Sequence, residues 1–214
     1  MTDKDILYVI DLDRTLIGFD QVMGLTEKAC AKAGIGFAPI KQQQLKASAE
    51  AQPYSPLSTI ANSMGAEKLT RFNQAFLEAN PEELIFEDAQ RYLDKLKQAG
   101  HQHMILTYAV EAEWQEIKLQ AAKLSKIPHV ITFTENKSQE IAKWLDDEGK
   151  FTPPLATINP ASRIVFIDDR PRVFKGMPDN CEGFLVDRFG YAEKENLPER
   201  VTRIKTFDDI IDKI

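Results

Sequence analysis

Two aspartates, Asp11 and Asp13, stand one residue apart where the apolar run "YVI" gives way to "DLDRTLIGFD". A spacing of two returns side chains to the same side of an extended chain. The pair therefore concentrates negative charge where a strand leaves the core. Further chemistry-bearing residues follow other apolar runs. Thr107 closes "MIL", Asn136-Lys137 comes after "VITFT", and Asp168-Asp169 close "RIVFI". Singly, each has a plain structural role, since aspartate is common in turns and threonine caps helices. As a set they put four carboxylates, a hydroxyl and an ammonium at strand ends. Clustered carboxylates raise one another's pKa unless a counter-charge is present. A divalent cation supplies that charge. All-oxygen ligands favour magnesium, which keeps several waters and needs only one or two carboxylates from the protein.

The elements that must carry these residues are legible as alternating runs. Short β-branched stretches at Ile6–Ile10, 104–106, 130–133, 164–167 and 184–186 suit strands covered on both faces. Helical patterns lie between most of them. Ala89, Tyr92, Leu93 and Leu96 form one stripe, with Gly100 as its stop. Val110, Trp114, Ile117, Ala121 and Leu124 form a second, and Ile141, Trp144 and Leu145 a third. This alternation predicts an α/β fold with a doubly wound, mostly parallel sheet. In such sheets ligands bind beyond the carboxyl ends of the strands, which is where the polar residues fall.

One connection is too long. A parallel crossover needs a dozen or so residues, and the helix before "HMILTY" already provides it. The surplus, 20–82, reads as a helical insert, with Leu69, Phe72 and Phe76 on the apolar face of its last helix. Residues 1–19 and 83–214 then form the core domain. Gly18 and Asn80-Pro81 are the expected hinges.

With these residues in place, the chain resembles the haloacid dehalogenase-like (HAD) superfamily. "YVIDLDRTL" is similar to its first motif, a strand followed by D-x-D-x-T. "MILTY" resembles the second, Lys137 the third-motif lysine, and "VFIDD" the acidic fourth. All four occur in order, covering about 5–17 and 86–190, and the insert lies where the superfamily carries a helical C1-type cap. The resemblance implies a Rossmann-like core and a magnesium-dependent phosphatase acting through an aspartyl-phosphate. Asp11 would be the nucleophile and Asp13 the general acid and base. Asp11, the backbone carbonyl of Asp13, Asp168 and Asp169 would hold Mg2+. Thr107 and Lys137 would bind the substrate phosphate. An acid at position 13 favours phosphate esters over halides, whose departure needs no proton. Phosphomutases and phosphotransferases share the motifs and stay open as alternatives. A non-catalytic phospho-acceptor module is the reading from another class, disfavoured by Asp13 and by the insert.

Composition bounds the partners. The 214 residues carry a net charge of −6, with 43% hydrophobic and 28% charged residues. That balance argues against a nucleic-acid binder, which usually shows a basic stripe. No run approaches the roughly 20 apolar residues of a membrane span. The N-terminus lacks a signal-peptide pattern, and Cys30 and Cys181 lack metal-ligand spacing. These features point to a cytoplasmic protein with a small phosphorylated substrate under its cap. Trp114 and Trp144 are expected in the core. His101, His103 and His129 read as structural, and Arg14, Arg170, Arg172 and Lys175 as charge balance around the acidic loops.

Overall fold

A computed structural model describes residues 5–50, 52, 54–78 and 84–214. Its strands are β1 (Ile6–Ile10), β2 (Gln102–Tyr108), β3 (His129–Thr132), β4 (Arg163–Asp168), β5 (Cys181–Val186) and β6 (Val201–Ile204). Its helices are α1 (Phe19–Ala33), α2 (Phe37–Ala49), α3 (Pro56–Met64), α4 (Ala66–Leu77), α5 (Glu87–Ala99), α6 (Ala112–Ala121) and α7 (Lys137–Ala142). The strands form one parallel six-stranded sheet in the order β3-β2-β1-β4-β5-β6. This is the expected α/β Rossmann-like architecture, with β1 between β2 and β4.

Both faces of the sheet are covered. Leu7, Val9, Met104, Leu106, Phe166 and Leu185 belong to one buried cluster with Trp144 and Phe174. On the opposite face Tyr8 meets Tyr92 of α5 edge-on, with ring centroids 6.4 Å apart, and Tyr92 lies 4.8 Å from Phe207. Double-sided burial explains why these strands read as unbroken apolar runs. β6 has no such run. Only Val201 and Ile204 are buried, while Thr202 and Arg203 face solvent at the sheet edge. Gly100 stops α5 as expected, in a left-handed conformation with φ 74°.

Two helical stripes run past their helices. Val110 precedes α6 and is 50% exposed. Leu145 lies beyond α7, exposed, where the chain turns into antiparallel bridges joining Leu145 to Phe151 and Phe151 to Ala161. Thr152 N donates to the Trp144 carbonyl at 2.7 Å, so the turn replaces a further helical turn.

Contacts divide the chain into two units. One takes the residues up to Leu16, Phe86–Thr107 and Ile127–Ile214, and carries the sheet. The other takes Ile17–Ile85 and Tyr108–Lys126, so α6 groups with α1 to α4. Within this second unit, α1 buries Val22, Leu25, Ala29, Cys30 and Ala33 at helical spacing and packs on α4. Phe72 and Phe76 of α4 pack on Trp114 of α6, with centroids 6.3 and 4.9 Å away. Leu69 is half-buried beside them. At its root Ile17 and Ile85 form an antiparallel bridge, and Gly18 N donates to the Leu84 carbonyl at 3.1 Å. Asn80 and Pro81 lie outside the described residues. No helix among the described residues is long and apolar enough to cross a membrane.

Candidate active site

The site is a product of strand register. Ile10 of β1 pairs with Ile105 on one side and Ile167 on the other. Asp11 continues the ladder by one step, its N–H donating to the Ile167 carbonyl at 2.9 Å. The next register position on β4 is Asp168, so two carboxylates stand side by side, roughly 4.8 Å apart across the strands. Leu106 and then Thr107 reach the same level on β2. The sequence places these residues at strand ends, and parallel pairing brings the ends together.

Lys137 is the first residue of α7. Asn136 caps that helix by accepting a hydrogen bond from Gln139 N at 3.2 Å. The cap fixes where α7 begins and so where Lys137 points. Its Nζ donates to Asp11 Oδ1 and to Asp168 Oδ2, the latter at 2.7 Å. The other Asp168 oxygen accepts from Arg170 N at 2.9 Å. Asp11, Lys137 and Asp168 are all buried, and Asp169 is half-buried. Ser138 Oγ donates to the Val173 carbonyl, tying α7 to the short helical turn Pro171–Phe174 that follows the two aspartates.

Charge here is unbalanced. Burial pushes the Asp11 carboxyl up to about 6; Lys137 opposes the shift, while Asp168 and Asp13 add to it. Burial, then Asp168 and Asp11, push Asp169 well above the usual carboxylate range against the pull of Arg170 and Lys137. Burial works against the Lys137 ammonium, yet attraction to Asp11 and Asp168 and its hydrogen bonds raise its pKa on balance. Arg170 behaves alike: burial lowers its pKa, and Asp169, Asp11 and Asp168 more than restore it. Lys137 and Arg170 together leave the four carboxylates, Asp13 included, short of positive charge.

The donor set suits a hard cation. Carboxylate oxygens of Asp11, Asp168 and Asp169 lie within 4.8 Å of one another. Oxygen-only donors that repel when unfilled fit magnesium. The side chain of Asp13 is not part of this group. Asp13 is half-buried in the turn after β1, which Leu16 N closes by donating to the Leu12 carbonyl at 2.9 Å. Within it Arg14 has φ 63°, a left-handed conformation costing a non-glycine residue about 1–2 kcal/mol. Thr107 is buried at the end of β2, and its Oγ1 has no hydrogen-bond partner among the described residues. The same holds for Thr15 Oγ1. A buried hydroxyl without a partner is costly, so a ligand oxygen is a natural complement to Thr107.

Other expectations resolve locally. Arg172 pairs with Glu135 at 3.2 Å. Trp114 and Trp144 are buried. His103 Nδ1 meets the His101 carbonyl at 3.1 Å, and His129 Nδ1 meets that of Ile127 at 2.9 Å. Sequence reasoning missed one constellation. Asp88, in the first turn of α5, forms a buried ion pair with Arg188, just past β5. No spacing links these residues. The only sequence signal is an acidic residue in the first turn of a helix, which is common.

No family model matches the chain, and a search of curated proteins finds no match. Solved structures do match over nearly the whole length. A haloacid dehalogenase-like hydrolase of Burkholderia xenovorans aligns with a TM-score of 0.60 at 17% identity, over 97% of this chain and 95% of that one. An L-2-haloacid dehalogenase aligns at 0.52 and 14% identity, over 97% of each chain. A HAD-hydrolase of Bacillus subtilis bound to magnesium aligns at 0.50 and 12% identity, over 98% of each. The chain thus has the fold of HAD-type hydrolases.

Proposed function

We propose that this chain is a magnesium-dependent phosphatase that hydrolyses a small phosphorylated metabolite through an aspartyl-phosphate. The observation that carries the reading is the buried contact of Lys137 with both Asp11 and Asp168, beside Asp169 and the unpartnered Thr107 hydroxyl. A carboxylate nucleophile divides one difficult displacement into two easier ones. An Asp11 oxygen attacks phosphorus, the ester P–O bond breaks, and Asp13 gives its proton to the departing alkoxide. Asp13 then takes a proton from water as that water attacks phosphorus, releasing phosphate and restoring Asp11. Lys137 neutralises charge on Asp11 and the phosphoryl oxygens, and Thr107 donates to one of those oxygens. Magnesium, held by Asp11, the Asp13 carbonyl and Asp168 with Asp169 beside it, would offset the repulsion between nucleophile and phosphate.

A second reading follows from the fold relative that is an L-2-haloacid dehalogenase. Asp13 weighs against it, because a halide departs without a proton. Phosphate release from an aryl phosphate with magnesium, set beside halide release from a 2-haloacid, separates the two. We expect phosphate release only, falling about a thousandfold or more in Asp11→Asn. Halide release without phosphatase activity, or full activity in that variant, would overturn the reading.

A further inference from the structure

We propose that Arg188 is a positioning residue that holds the turn carrying Asp13 in its working shape. The link to catalysis rests on the phosphatase reading above; the link to the turn does not. The turn has a reason to need support. It contains a left-handed arginine, Arg14, between Asp13 and Thr15, and Leu16 N closes it by donating to the Leu12 carbonyl. A strained backbone persists where its surroundings over-determine it.

Those surroundings are built around Arg188. Its Nη2 donates to the Thr15 carbonyl at 3.1 Å. Its Nη1 lies 3.0 and 2.8 Å from the two Asp88 oxygens. The guanidinium stacks on the Phe86 ring, 4.0 Å from its centroid. Asp88 is itself fixed, because its Oδ2 also accepts from Phe207 N at 2.8 Å. The next carbonyl of the turn, that of Leu16, is taken by Phe86 N at 3.0 Å. Two successive carbonyls after Arg14 are thus bound by groups just before α5 and just past β5. The planar fork of arginine suits this task, since it can serve a carboxylate and a carbonyl together.

A purely structural ion pair would also be buried, so the test must separate stability from positioning. Arg188→Lys keeps a charge beside Asp88 and loses the fork. The double change Arg188→Met with Asp88→Asn removes both charges and leaves an amide oxygen for Phe207 N, which avoids stranding a buried charge. Each variant is assayed for kcat and KM on an aryl phosphate, for the magnesium-induced shift in melting temperature, and for deuterium uptake at the Leu16 amide. We expect uptake at Leu16 to rise at least tenfold, kcat to fall at least tenfold, KM to stay within about twofold, and the magnesium shift to shrink, because the Asp13 carbonyl belongs to the same turn. Wild-type uptake and kcat in folded variants would overturn the proposal, as would a fall in kcat with uptake unchanged. If the wild-type protein released no phosphate from any ester, the phosphatase reading would fail, and uptake at Leu16 would still decide the role of Arg188.

Discussion

Lys137 brings one positive charge to a group in which Asp11, Asp168 and Asp169 supply three carboxylates. Burial raises Asp11 to about 6, with Lys137 opposing the shift and Asp168 and Asp13 adding to it. Three residues after Asp11, Arg14 accepts a conformation that glycine would adopt without penalty. Replacing it with alanine or glycine removes the side chain either way and differs only in backbone tolerance. We expect Arg14→Gly to be more stable than Arg14→Ala by about 1 kcal/mol, read from urea denaturation midpoints. Equal midpoints would mean that the turn relaxes without its side chain.

At the scale of elements, α7 is a short helix whose first residue is the bridging lysine. Its cap therefore governs geometry as well as stability. Asn136→Ala should cost about 1 kcal/mol in thermal or urea denaturation. It should also lower kcat severalfold, because Lys137 loses its fixed origin, while Asn136→Asp should retain most of both. The elements also show what a sequence discloses. Asp11, Thr107 and Asp168 were legible because double-sided burial makes parallel strands conspicuous and the polar residue closing each apolar run marks the carboxyl end, and Lys137 because it opens the helix after β3. β6 was not, because an edge strand with two exposed residues in "VTRI" lacks an apolar run. Val110 and Leu145 were read into stripes because periodicity continues past the point where hydrogen bonding stops. Asp88 and Arg188 were invisible, since their pairing exists only once α5 and β5 have docked on one sheet.

For the whole molecule, the charge deficit makes folding, metal and pH interdependent. In the folded state Asp11 binds its proton up to about 6, whereas its ordinary value is 3.8. Between those values the folded protein holds the extra proton, so this group's contribution to stability falls as pH rises and is fully unfavourable above about 6. Asp169 shifts the same way. A cation bound only by the ionised, folded site offsets this cost. Magnesium should thus raise the melting temperature clearly at pH 7.5 and much less at pH 4.5. Asp11→Asn should melt higher than wild type at pH 7.5 without metal. A magnesium effect independent of pH would place the ion elsewhere.

The central place of β1 has a consequence for how the molecule is made. β1 is the first of the described strands, yet its neighbours begin at Gln102 and Arg163. During translation the strand that leads into Asp11 leaves the ribosome long before either partner exists. Contacts so distant in sequence form slowly, and an unpaired apolar strand invites aggregation meanwhile. The order of synthesis thus delays assembly of the carboxylate cluster until β4 has emerged, and a nascent chain halted before that point lacks Asp168 and the strand that carries it.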